Sequence, residues 1–121
     1  MTKICTSVGE SKRLLKLGLS ESTAIFDIEN TELGEIQRVS YSSAILGIRE
    51  PGHYPGWSLE SLLELLPDVL GTKYILTIRG TNIKYEDNIG RVLIESNGVT
   101  LYESIINLLE KSIKRNIISL P

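Results

Sequence analysis

The sequence predicts one α+β domain spanning residues 1–121, with three helices packed on a small antiparallel sheet in the order α-β-β-α-β-β-α. Three observations predict it. A central leucine-rich segment carries its own start and stop signals. Two outlying segments open with capping-box spacing and run on with helical periodicity. Between them lie short runs of β-branched and aromatic residues bounded by glycine and asparagine. At 121 residues the chain is long enough for a single core and not for two.

The first helix begins at Ser7-Val-Gly-Glu10, where Ser7 reaches forward and Glu10 reaches back to the cap amide. It runs to about Leu17, with Lys12, Arg13 and Lys16 on the wet side and Val8, Leu14, Leu15 and Leu17 as apolar cover. Gly18 suits the left-handed position beyond the helix, with Leu19 supplying the accompanying contact. Ala24 to Ile28 and Ile36 to Ser43 read as short strands, and Ala44 to Ile48 as a strand extension or a turn. Glu50-Pro-Gly-His-Tyr-Pro-Gly56 is dense in turn formers and reads as loop.

The segment Pro55 to Pro67 is the organising one. Ser58 is a good N-cap, and Leu59, Leu62, Leu63 and Leu66 recur at i, i+3, i+4 and i+7 on one helical face. Glu60, Ser61 and Glu64 take the opposite face, and Pro67 ends the helix. So short a helix needs tertiary packing to hold it. Tyr74 to Arg79 then reads as a central strand, broken at Gly80-Thr-Asn82. Gly90 to Glu95 is expected to pair with it as an antiparallel hairpin, and Asn97-Gly98 turns the chain out of the sheet. Thr100 and Glu103 open the last and longest helix, to about Asn116, with Leu101, Ile105, Leu108, Leu109 and Ile113 on one face.

Pro55-Gly-Trp-Ser-Leu-Glu-Ser-Leu-Leu-Glu-Leu-Leu-Pro67 is similar to the Pro-x-Trp-Ser-Leu-x-x-Leu-Leu-Glu-Leu-Leu-Pro segment of a family of short, uncharacterised bacterial proteins that travel with phages and other mobile elements. Thr6 to Gly18 resembles the family's opening helix, Tyr74 to Ser96 its strands, and Gly98 to Ile118 its closing helix. The family brings no activity with it, so the resemblance implies fold and genetic context only.

Composition narrows the function classes. The chain is 41% hydrophobic and 23% charged, in the ordinary globular range. A net charge of −2 lacks the basic excess of a general nucleic-acid binder. With Cys5 as the one cysteine, no internal disulfide forms, and a reducing cytoplasm is the expected compartment. Met1 to Glu10 has no apolar leader region, and no stretch approaches the length of a membrane span.

Candidate chemistry is sparse. One histidine and one cysteine do not make a Cys/His zinc site within a chain. Asp27, Glu29 and Glu32 lack the spacing of a calcium loop and read as a solvated acidic face. Gly80, Gly90 and Gly98 are too dispersed for a phosphate loop. Cys5 reads as a small buried hydrophobe. No catalytic, cofactor-binding or metal residue is assigned, and no cofactor is expected.

Three readings of function remain. The leading one is a non-enzymatic accessory protein of a phage or mobile element, acting through protein–protein contacts, with a homodimer as one form. His53, Tyr54 and Trp57 are its candidate contacts, because tryptophan and tyrosine anchor interfaces; for Trp57 the competing role is a staple packed on the helix that follows. The alternative is nucleic-acid contact through Lys111, Lys114 and Arg115, aided by outward-facing Tyr74 and Tyr85, against plain complementation of the helix dipole. The third, an enzyme using His53, predicts a concave pocket and a shifted pKa around that residue.

Overall fold

The structure, a computed structural model, describes residues 3–39 and 51–120. Helices α1 (Val8–Leu17), α2 (Leu59–Leu63) and α3 (Leu101–Lys114) and strands β1 to β7 make up a mixed α+β fold with antiparallel sheets, in the expected class and element order. The expected single sheet is two sheets, one in each of two compact units that meet in sequence between Ser61 and Leu62.

The first unit holds α1 and a three-stranded sheet of β1 (Phe26–Thr31), β2 (Gly34–Val39) and β3 (His53–Gly56), in the order β2-β1-β3. The α1 capping box forms as expected: Ser7 Oγ accepts the Glu10 N–H, and Glu10 Oε1 accepts the Ser7 N–H at 2.9 Å. Gly18 closes the helix at φ 101°, and the Leu19 N–H returns to the Leu14 carbonyl at 3.2 Å. One sheet face carries Phe26, Ile28 and Tyr54, which pack with Cys5 and Val8 into the unit's core. Gly56 is required there: a Cβ would stand 2.8 Å from Cys5 Sγ and 3.0 Å from Phe26 Cβ.

Residues 53–56 form a strand where turn formers suggested loop. The reason is position. Phe26 pairs with Gly56 and Asp27 with Pro55, and β3 lies at a sheet edge, where a proline costs no ladder hydrogen bond. The possible strand or turn at Ala44 to Ile48, and the end of the strand expected to reach Ser43, lie outside the described residues.

Helix α2 is shorter than its leucine pattern. Ser58 Oγ accepts the Ser61 N–H at 3.1 Å, as an N-cap does. After Leu63 the backbone tightens: Leu65 N–H bonds Leu62 O and Leu66 N–H bonds Leu63 O, each at 3.1 Å. Pro67 bars helical geometry at Leu66, so the last turn closes with i→i+3 bonds.

The second unit is a four-stranded sheet in the order β4-β5-β6-β7, from β4 (Val69–Leu70), β5 (Tyr74–Arg79), β6 (Asn82–Glu86) and β7 (Val92–Asn97). The hairpin expected between 74–79 and 90–95 does not form, because β6 lies between them. A two-residue turn at Gly80 and Thr81, with Gly80 at φ 59°, lets 82–86 fold straight back on β5. Helix α3 covers the sheet face bearing Ile83, Tyr85, Ile94 and Ser96, against its own Ile105, Leu108 and Leu109. Its cap differs in one bond. Thr100 Oγ1 accepts the Glu103 N–H, but the Glu103 carboxylate reaches the Val99 N–H instead of its own cap residue's.

Candidate functional site

One stretch of unpaired strand backbone in the second unit lies along the outer edge of β5. Strand β4 has only two residues, because Pro67 precedes it and the chain reverses at Gly71, φ 62°. The Leu76 N–H donates to the Asp68 carbonyl at 2.9 Å, the last bond β4 makes along this edge. Pro67 has by then turned away over the covered face, where its carbonyl accepts the Tyr85 hydroxyl at 2.7 Å. Backbone groups alternate sides along a strand, so Ile78 aims its N–H and C=O the same way as Leu76, past the end of β4. Among the described residues none takes them up.

Beside that edge is a shallow groove of about 550 Å³, lined by Leu63, Asp68, Val69, Ile75, Leu76 and Ile78. Five of the six are aliphatic, and Ile75 and Ile78 are 52% and 39% exposed. Among the described residues Asp68 is the only charge in the lining; burial, with the Asp68 field added, raises the Tyr85 phenol to about 12. The groove can seat an aliphatic side chain and extend the sheet by a strand. Among the described residues its lining holds one carboxylate and no second titratable group, so it offers recognition and no acid–base pair.

The residues singled out by sequence are placed elsewhere. Trp57 is 1% exposed, its backbone bonded reciprocally to Thr6 and its Nε1 donating to Thr23 Oγ1 at 2.8 Å. It serves the core. Tyr54 is half-buried against that core, with Lys12 Nζ 5.3 Å from its ring centroid. His53 lies on β3 with Nδ1 2.6 Å from Asp27 Oδ2. Asp27 is thus not part of a solvated acidic face: it is buried, and orients the imidazole from one side. Sequence reasoning missed this pair because 26 positions separate its members and only the β1–β3 register joins them. Glu29 on the same strand pairs instead with Arg38 across to β2, at 3.1 Å.

At the end of α3, Lys114 and Arg115 are exposed, whereas Lys111 Nζ donates to the Glu95 carbonyl at 2.9 Å and so is tied to β7. Tyr85 faces the core and is unavailable for stacking on a base. Cys5 is fully buried, and desolvation pushes its thiol up to about 12, the opposite of an activated nucleophile. Among the described residues no group of three or more histidine, cysteine, aspartate or glutamate side chains is arranged to hold a metal ion, and no helix is long and apolar enough to cross a membrane.

No family model, curated protein or solved structure matches the chain.

Proposed function

We propose that this protein is a non-enzymatic accessory protein that works through protein–protein contact, in the phage or mobile-element setting implied by the Pro55–Pro67 resemblance. One observation carries the reading: the unfinished edge of β5 beside an aliphatic groove. An apolar recess flanked by unpaired strand backbone is the arrangement by which sheets accept an added strand. Hydrogen bonds along the edge supply affinity, and the groove selects the side chain.

The test is affinity capture with tagged protein from a bacterial lysate, with and without nuclease, run beside an Ile78→Lys variant. A protein retained by the wild type through nuclease treatment and lost by the variant supports the reading. Capture that vanishes with nuclease moves the weight to nucleic acid, through the exposed Lys114 and Arg115. Capture unaffected by the variant removes the groove as the contact.

A further inference from the structure

We infer that the groove beside β5 receives a long basic side chain, lysine or arginine, presented by an extended segment of a partner protein. The inference rests on the protein-contact reading above and names the chemistry of the partner.

The groove is aliphatic along its walls and anionic at one place. Leu63, Val69, Ile75, Leu76 and Ile78 supply the apolar surface, and among the described residues Asp68 is the only charge lining it. The Asp68 carbonyl is taken by the Leu76 N–H, but its carboxylate is exposed and has no hydrogen-bond or ion-pair partner among the described residues. That lining weighs against the simpler occupants. A purely aliphatic side chain would strip water from the carboxylate with nothing in return, and an acidic one would add repulsion. A basic side chain on an aliphatic stem suits both parts: its methylenes lie on the leucine, isoleucine and valine surface, and its cationic head meets the carboxylate.

The spacing agrees. Asp68 takes the edge position opposite Leu76, two residues along from Ile78. Positions two apart along a strand share a face, and at the rise of a strand they are about 7 Å apart. A partner side chain anchored opposite Ile78 therefore starts on the same face as Asp68, and the stem of lysine or arginine covers the gap. Tyr85 pairs with Leu76 from the other side, and its phenol feels the Asp68 charge, in keeping with a carboxylate on that face.

The partner backbone has one anchor. Ile78 directs its N–H and C=O outward, so a residue opposite it makes one pair of strand hydrogen bonds. A single position, opposite Thr77, separates that residue from Asp68, and there the partner chain turns off the edge. The contact is one residue held at both ends, backbone by Ile78 and head group by Asp68. Its affinity is accordingly weak, in the millimolar range for an isolated peptide.

The test is a titration of the isotope-labelled full chain, followed through its amide NMR shifts, with capped tripeptides that differ only at the central residue: lysine, arginine, norleucine or glutamate. The lysine and arginine peptides should move the Leu76 and Ile78 amides and bind about threefold more tightly than norleucine, the worth of one exposed ion pair. Asp68→Asn should bring lysine down to the norleucine level, and Asp68→Lys should turn the preference to glutamate, a reversal that a folding defect would not produce. Asp68 is exposed, so both variants should fold. Norleucine bound as tightly as lysine overturns the inference, as does lysine affinity unchanged in Asp68→Asn, or the absence of any shift at Ile78 up to about 10 mM peptide. Shifts at Ile78 that grow with protein concentration alone make a second copy the occupant and overturn it too. If charge makes no difference while Ile78-dependent capture of a protein persists, the basic side chain is refuted and the contact reading stands.

Discussion

Gly56→Ala should destabilise the first unit by overfilling its core. Gly56 lies in β3 opposite Phe26, and its φ is not positive, so the penalty is steric and owes nothing to backbone strain. The new methyl would stand 2.8 Å from Cys5 Sγ, 3.0 Å from Phe26 Cβ and 3.2 Å from Ile28 Cγ1. Cys5 and Ile28 are both fully buried in the cluster beneath α1, and neither contact is with the far end of a flexible chain. Forcing a methyl into a closed core costs about 1–3 kcal/mol. In a unit of this size each kcal/mol lowers Tm by about 4–8 °C. Cys5→Ala removes the nearest clashing atom. The double variant should therefore be less destabilised than the two single changes added together, by about 0.5–2 kcal/mol. Urea denaturation of the four proteins reads both quantities. A Gly56→Ala protein within about 0.5 kcal/mol of wild type would refute the packing argument; strict additivity would show that the sulfur is not what the methyl strikes.

Ser104 knots the second unit: its Oγ accepts the Gly98 N–H at 2.7 Å and donates to the Thr81 carbonyl, with the Thr100 carbonyl at 3.0 Å. Ser104→Ala strands a buried donor and acceptor and should cost about 1–3 kcal/mol in urea denaturation; an unchanged midpoint would contradict the bonding described. Trp57 is the sole tryptophan and is almost fully buried, so native fluorescence should be blue-shifted and poorly quenched by iodide, both reversing on denaturation. Ready quenching in the native state would place the indole outside the core. Burial raises the Cys5 thiol from 9.0 and the Tyr85 phenol from 10.0, each to about 12. The unfolded chain sheds these protons first, so the contribution of these two groups to stability should be constant below pH 9 and be lost from there toward pH 12. Cys5→Ala should flatten the lower part of that fall, and an identical alkaline limb in the variant would count against the buried thiol. The native thiol should likewise resist a disulfide reagent at mild pH until denaturant is added.

What was legible in the sequence was local. Ser7 and Glu10 lie three residues apart, and Gly18 follows the last helical turn, so α1 could be bounded without knowing what it packs on. The same holds for α3 and its Thr100 cap. Strand partners are a different kind of fact. Asn82 to Glu86 alternates like a strand, but only the tight turn at Gly80 makes it β5's neighbour in place of 90–95. Turn-rich His53 to Gly56 becomes β3 because Phe26 to Glu29 lies beside it. The Asp27–His53 pair depends on that pairing too.

The candidate groove was illegible for the same reason, and the reason bears on how it works. Val69, Ile75 and Ile78 look in sequence like ordinary half-buried strand residues, and in a longer β4 they would be. The opening exists because Pro67 lies off the edge, giving its carbonyl to the Tyr85 hydroxyl, while Gly71 reverses the chain only four residues later. A proline that ends α2 thus also shortens β4, and the edge it fails to cover is the one whose nearest side chains are aliphatic. Covering that edge within the chain would need two or three more residues of β4. Their absence leaves strand backbone and aliphatic surface unsatisfied at one spot.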